Sequence, residues 1–348
     1  MYLNMIDPAA WVSPRAGEVR LGQALDCLDE IANQNALADA LDQAWQQGRR
    51  IALLGVPESI GPRANLGRGG AEHGWDAALK GLLNLQASPV VPYQILLVLG
   101  AIDCDDLEAE AADLDVSDAD QLARLRELCG ELDKRVSQVL KPVFRAGFDV
   151  ILIGGGHNNA YPLLRSLAEA TDKAVGAVNL DPHSDFRTRE GRHSGNGFSY
   201  AYMDGALAHY HVVGLHEGKN NATSLQQLAA ANFSYRSIHQ LYRNEWPAEL
   251  AAVRVLAESW QVPLGIEIDV DSLQGVPASA INFNGLSVAH GYSLIERLAA
   301  LPATRYLHLA EAAPGLHPAG RETGSAVCAQ LLGEFVLAYL HGYQRRTP

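Results

Sequence analysis

Short runs of strand-forming residues punctuate this chain, at residues 51–56, 94–99, 149–153, 174–180, 210–214, 263–270 and 304–309, and each gives way to a stretch with helical periodicity. Most positions within a run are apolar, so both faces of each strand need cover, which a parallel sheet clothed by helices provides. The clearest helical patterns lie at 119–139, 159–170, 245–260, 293–300 and 326–341. Strand and helix alternate across nearly the whole chain, which predicts the α/β class. No linker tract or internal repeat divides the sequence, so residues 49–348 are expected to form a single domain. Residues 1–48 are expected to be a helical N-terminal extension without a strand partner, packed across the sheet or against another subunit.

Charge narrows the partners. The 348 residues carry 27 basic and 40 acidic side chains, a formal charge of -13, with no basic cluster dense enough to follow a phosphate backbone. Nucleic acid and anionic membranes are therefore not expected as partners. No continuous apolar run approaches the roughly 20 residues of a spanning helix, and the start of the chain lacks the basic and apolar segments of a secretory signal, so a cytoplasmic setting is expected. Cys27, Cys104, Cys129 and Cys328 are far apart and read as small hydrophobes rather than a disulfide or zinc framework.

The chemistry concentrates at the ends of three runs. After 174–180 come Asp181, His183 and Asp185 at alternate positions, so their side chains face one way where a strand enters a loop. In 263–271, Glu267, Asp269 and Asp271 alternate in the same manner. Clustered carboxylates repel one another and raise at least one pKa unless a cation neutralises them. After 149–153, the turn Gly154-Gly155-Gly156-His157 brings a further imidazole to a strand end, where α/β proteins place their sites. A dinucleotide fingerprint is excluded because Asn159 occupies its third glycine position. A metallophosphoesterase is excluded because the acidic and histidine segments it requires downstream are missing.

Taken in order, these blocks resemble the ureohydrolase superfamily of arginases, agmatinases and formimidoylglutamases, from about Ile51 to His341. The family's glycine-rich turn with His matches 154–157, its Asp-x-His-x-Asp matches 181–185, and its Asp-x-Asp matches 269–271. Its N-terminal Gly-rich segment is echoed by 61–74, and its late Glu near Pro by Glu311 and Pro314. The resemblance implies a three-layer α/β/α fold with a central, mostly parallel sheet of about eight strands. It also implies two Mn²⁺ per subunit, one held by His157, Asp181, Asp185 and Asp269, the other by His183, Asp181, Asp269 and Asp271. Asp181 and Asp269 would bridge, and a donor set of oxygens and imidazoles suits Mn²⁺.

The implied reaction is hydrolysis of a C–N bond in a linear amidine by a metal-bridging hydroxide. Asp185 would relay the proton, Glu311 would pair with the amidinium or guanidinium, and His193 would act as a mobile proton shuttle at the cleft mouth. Arg187 stands where arginases carry an Asn and would attract a substrate carboxylate. Together with the Gly-Gly-Gly-His turn it points to the formimidoylglutamase branch and to N-formimidoyl-L-glutamate, yielding L-glutamate and formamide. A guanidino compound releasing urea is the alternative, and a non-catalytic metal-binding member a third reading. The family's habit of assembling implies a homo-oligomer. The chain departs from the family at Pro182, at Gln274-Gly275 and at Glu267, which reads either as an acceptor for a ligating His or as the next inward residue of its strand.

Overall fold

The computed structural model describes residues 1–28 and 31–346. Residues 29 and 30 of the expected extension, and 347 and 348 of the expected domain, lie outside the described residues. Among the described residues the sheet has ten strands: β1 Leu3–Asn4, β2 Asp26–Cys27, β3 Ile51–Gly55, β4 Leu96–Ile102, β5 Asp149–Ile153, β6 Val175–Leu180, β7 Leu207–Leu215, β8 Ser234–Ser237, β9 Leu264–Asp269 and β10 Thr304–Ala310. Their order is β1-β4-β3-β5-β10-β9-β6-β7-β8, with β2 also on β4. All pairs are parallel except β1 with β4. The seven runs read from the sequence are β3–β7, β9 and β10, and β8 with the two-residue strands β1 and β2 brings the count to ten, against the eight or so that the resemblance implied.

Alternation along each strand sends side chains into two separate cores. Leu53, Ile151, Val178, Ile266 and Leu307 face one, closed by the helices Gly74–Leu82, Trp246–Ser259, Val288–Ala299 and Arg321–Gln344. Leu54, Leu152, Ala177, Val212 and Tyr306 face the other, closed by Gln34–Gln46, Ala119–Arg145, Ala160–Thr171 and Gly197–Met203. Helix starts follow local chemistry: Asp118 accepts from the backbone N–H groups of Asp120 and Gln121, each at 3.0 Å. Arg321–Gln344 is long and apolar enough by composition to cross a bilayer, but here it buries Leu331, Leu332, Phe335 and Tyr339 against the sheet and its helical neighbours.

The expectation for residues 1–48 needs correction. Gln34–Gln46 is helical, but β1 and β2 give this segment two strand partners on β4. Such pairing covers backbone groups on β4 that would otherwise form an open sheet edge. β8 escaped the sequence reading because Ser234, Tyr235, Arg236 and Ser237 form no apolar run. The helix expected to stop at 139 continues through Pro142 to Arg145, since Val143 and Phe144 still bury on the same face.

Sheet order is what assembles the site. Strands β5, β10, β9 and β6 are consecutive neighbours. The loops leaving their carboxyl ends therefore converge, although the residues they carry span 157 to 311 in sequence.

Candidate metal centre

His157 lies at the middle of this convergence. Gly154 and Gly155 adopt φ of 95° and 70°, a left-handed turn that glycine takes without steric cost, and it swings the chain back over the sheet. Glu58 braces the turn, accepting from Gly156 N–H at 2.6 Å, Asn159 Nδ2 at 2.9 Å and Gly61 N–H at 2.9 Å. His157 Nδ1 then stands 3.0 Å from Asp185 Oδ2, 3.3 Å from Asp181 Oδ2 and 3.6 Å from Asp269 Oδ2. One N–H serves one acceptor well, so three carboxylates around one ring nitrogen describe a cradle for a cation. Neither His157 nitrogen completes a hydrogen bond of good geometry, and Asp271 Oδ1 is likewise buried without a partner.

The carboxylates form two groups that share Asp181. His157, Asp181, Asp185 and Asp269 each offer a ligand atom within 4.8 Å of the others, and so do Asp181, His183 and Asp271. His183 Nδ1 is 3.4 Å from Asp181 Oδ1 and 3.2 Å from Asp271 Oδ2. Backbone and side-chain donors hold the acids in place: His183 N–H to Asp181 Oδ1 at 2.6 Å, Asn179 Nδ2 to Asp181 Oδ2 at 3.0 Å, and Asp271 N–H to Asp269 Oδ1 at 2.9 Å. Among the described residues no Lys or Arg pairs with Asp181, Asp185, Asp269 or Asp271.

Titration reflects that deficit of positive charge. Burial pushes Asp269 well up, with Asp271 and Asp181 adding to it, and burial also raises Asp185, which Asp181 reinforces. Burial acts on Asp181 too, yet His157 and His183 outweigh it and bring it to about 2. Burial disfavours imidazolium at His157 and His183, but the surrounding carboxylates overcome it and raise both well above their ordinary value. Protons thus do the work that a divalent cation does better. Carboxylate oxygens with two imidazoles and no thiolate are the donors such a cation prefers.

Glu267, left open by the sequence, sits directly behind His157. Its Oε2 is 3.3 Å from His157 Nε2 and 2.6 Å from His308 Nδ1, while Oε1 accepts from the Tyr306 hydroxyl at 2.6 Å. Gly265 makes this possible, because a Cβ there would lie 2.1 Å from the Tyr306 ring. Placed behind the ring on its Nε2 side, Glu267 leaves Nδ1 to face the acids.

Glu311 closes the floor. Its Oε1 accepts from His157 N–H at 3.0 Å and its Oε2 from Ser279 Oγ at 2.8 Å. Burial, with Asp271 and Asp185 nearby, pushes its carboxyl up to about 7. Asp185 and Glu311 both hold positive φ, 43° and 68°, a strained setting for a side chain and one that clusters at functional sites. Both line a cleft of about 450 Å³ together with His183, Asp269, Asp271 and Arg187. Arg187 donates to Asn65 Oδ1 at 2.6 Å and lies 3.6 Å from Glu190.

His193 is the expectation the structure corrects. It is fully buried and absent from the cleft lining; its Nδ1 accepts from Gly195 N–H at 3.1 Å and its Nε2 faces Glu190 at 3.5 Å. Burial, then Arg187, Arg126 and Arg192, lower its pKa to about 3, so it is neutral and not at the cleft mouth. The sequence reading also missed Glu58, Asn65, Ser279, Tyr306 and His308. Tyr306 and His308 could have been found, as polar residues at alternate positions of an apolar strand.

An α/β/α sandwich with a paired carboxylate–imidazole cradle at adjacent strand ends has the architecture of a binuclear metallohydrolase. The chain belongs to the Arginase family, whose model matches residues 49–338. It is similar to a formimidoylglutamase of Hahella chejuensis, 29% identical over 234 residues, a match spanning 63% of this chain and 64% of that relative's length. It is also 27% identical to a formimidoylglutamase of Geobacillus kaustophilus over 94% of this chain and 92% of that one. Among solved structures, Trypanosoma cruzi formiminoglutamase with Mn²⁺ superposes with a TM-score of 0.68 at 19% identity, covering 95% of this chain and 100% of that one. That likeness establishes the fold.

Proposed function

We propose that this protein hydrolyses N-formimidoyl-L-glutamate to L-glutamate and formamide at a centre of two Mn²⁺ ions per subunit. The observation that carries the reading is the pair of donor clusters sharing Asp181 on the floor of a cleft that Arg187 also lines. His157, Asp181, Asp185 and Asp269 would hold one ion, and Asp181, His183, Asp269 and Asp271 the other. When bound, such a pair supplies Lewis acidity and a water of lowered pKa.

The chain's own groups then have distinct tasks. Glu311, fixed by Ser279 and by His157 N–H, receives the planar amidinium through parallel hydrogen bonds. Arg187, steadied by Asn65, binds a carboxylate of the amino acid end. Asp185 accepts a proton from the attacking water as its oxygen bonds to the formimino carbon. That proton passes to the glutamate nitrogen, the C–N bond breaks, and formamide and the free amine leave. His193 has no step in this scheme.

The relatives named formimidoylglutamase and the Arg187 guanidinium at the acidic cleft both favour this substrate over a cationic guanidine. Cytoplasmic location and a homo-oligomeric state belong to the same reading. The test is a panel of arginine, agmatine, 4-guanidinobutyrate and formimidoylglutamate with Mn²⁺-loaded protein, scored separately for urea, formamide and ammonia. Formamide from formimidoylglutamate alone is expected; urea from a guanidine with no formamide overturns the assignment.

A further inference from the structure

The cleft contains a second cation that the proposed reaction has not used. Lys219 lines it, and among the described residues lining the cleft Arg187 and Lys219 are the two cationic side chains besides His183. Lys219 ends the short turn Glu217–Lys219 after β7, and its backbone N–H bonds His216 O at 2.9 Å. The next residue fastens the turn to the metal-ligand loop. Asn220 Oδ1 accepts from Ser184 N–H at 2.8 Å, and Asn220 Nδ2 donates to Pro182 O and His216 O, each at 3.0 Å. The backbone of Lys219 is therefore placed at the cleft by a loop pinned to both flanks of His183, and its side chain is exposed. Among the described residues no carboxylate lies within ion-pair distance of its ammonium, whereas Arg187 has Glu190 at 3.6 Å.

The remaining lining points the same way. Gly67 and Ala280 are the lining residues without a polar side chain, so nothing in the cleft favours an aliphatic tail. Acids occupy the floor, and the two cations stand among neutral Ser and Asn side chains in the remaining lining. A ligand matching this pattern carries one cationic planar head and two separated anions, and about 450 Å³ suits a small amino acid derivative.

We propose that Lys219 is a specificity-determining residue that binds the side-chain carboxylate of the substrate, leaving Arg187 for the other. The substrate class is thereby an amidine carried on a dicarboxylic amino acid. This rests on the amidine-hydrolase reading above for the reaction, but not for the binding itself.

The test uses full-length, Mn²⁺-loaded wild-type protein, Lys219→Met and Lys219→Arg. Substrates are N-formimidoyl-L-glutamate and N-formimidoyl-L-glutamine, the latter a neutral isostere at the side chain. For Lys219→Met, KM for the glutamate compound should rise about tenfold with kcat within twofold, as expected for a charge-assisted contact made equally in ground and transition states. Its kcat/KM for the glutamine compound should stay unchanged, and Lys219→Arg should recover most of the loss. Equal losses on both substrates, or none on either, overturn the proposal. Calorimetric binding of L-glutamate against L-glutamine separates the two readings. If formimidoylglutamate is not turned over yet Lys219→Met selectively weakens L-glutamate, the reaction falls and the anchor stands; wild-type protein binding both equally refutes the anchor.

Discussion

The two ends of the sheet treat buried acids in opposite ways. At the amino end, Asp149 opens β5 and is fully compensated: Arg346 Nη1 lies at 2.7 Å, Arg305 Nε at 3.0 Å, and the Tyr339 hydroxyl donates at 2.9 Å. At the carboxyl end, Asp181, Asp185, Asp269 and Asp271 share two imidazoles and, among the described residues, no Lys or Arg. The first arrangement is complete as it stands and holds the C-terminal helix to the sheet. The second has a standing demand for positive charge, and a chain that can place arginines beside a buried acid at one end has left that demand open at the other.

The sharpest way to break this comparison is to remove one acid from the deficient end. Asp271→Ala takes a ligand atom from the cluster with Asp181 and His183. Turnover should fall by about 10³-fold or more, and metal content, read by atomic absorption, should fall with it. A non-catalytic member of the family would lose metal without any turnover to lose. Retained activity with a full complement of metal would remove Asp271 from the centre.

Glu267→Gln probes the layer behind the ligands. The change keeps the shape of the Tyr306–Glu267–His308 unit but replaces an anionic acceptor behind His157 with a neutral amide. Outer-shell partners of this kind are worth about 10- to 100-fold in metal affinity. The expected result is weakened Mn²⁺ binding in a calorimetric titration, confined to one of the two ions, with kcat largely restored at saturating metal. Equal weakening of both ions would mean that Glu267 acts through general packing.

Metal removal should expose the deficit as a pH dependence. His157 and His183 have folded pKa values raised above their unfolded value near 6.5. The stability they contribute is therefore present below that pH and lost as pH climbs through the folded values. Raised Asp185 and Asp269 act in the same direction, their contribution fading as pH rises above about 4. Asp181, depressed to about 2, works oppositely, but its contribution is already complete by neutral pH. Metal-free protein should thus melt lower at pH 9 than at pH 6, and the gap between metal-loaded and metal-free melting temperatures should widen over that range. A gap that stays constant would mean the cradle does not rely on protons when empty.

The amino end supplies the control. Asp149→Asn removes a charge paired with two guanidinium groups, and breaking a buried pair costs about 3–5 kcal/mol, less here because Arg305 is partly exposed. Denaturant midpoint should drop while kcat/KM at 25 °C and metal content stay within twofold. A large loss of activity in folded protein would dissolve the distinction between the two ends.

What could be read in advance follows the same division. Strands β5, β6, β9 and β10 announce themselves because parallel strands buried on both faces leave long apolar runs, and an acid or imidazole at the end of such a run stands out. His157, Asp181, His183, Asp185, Asp269 and Asp271 were all legible for that reason. Asn65, Ser279 and Lys219 were not, since polar residues in loops are ordinary and only the folded chain brings them to the cleft. Glu58 is similar: nothing in its neighbourhood in sequence reveals that it braces the Gly154–Gly156 turn about a hundred residues later. Burial misled in one direction, at His193, because a Gly- and Ser-rich segment reads as an exposed loop. Here Arg192 anchors that loop inward, with Nε 2.7 Å from Asp133 Oδ2 and Nη2 donating to Asn158 O at 2.9 Å.

His193 therefore gives the smallest expected effect and a direct test of that correction. A shuttle that protonates the leaving amine contributes about 10²–10⁴-fold, and its removal would also erase a limb of the pH–rate profile. The buried, neutral imidazole seen here, with a pKa near 3 and Nε2 turned toward Glu190, cannot deliver a proton to the cleft near neutral pH without leaving its seat. His193→Asn should change kcat by less than about threefold and leave the pH profile of kcat in place. Its cost should appear instead as a lower melting temperature, because a fully buried ring is removed from a packed site. A hundredfold loss of kcat that exogenous imidazole partly restores would return His193 to the reaction and require the loop to open during turnover.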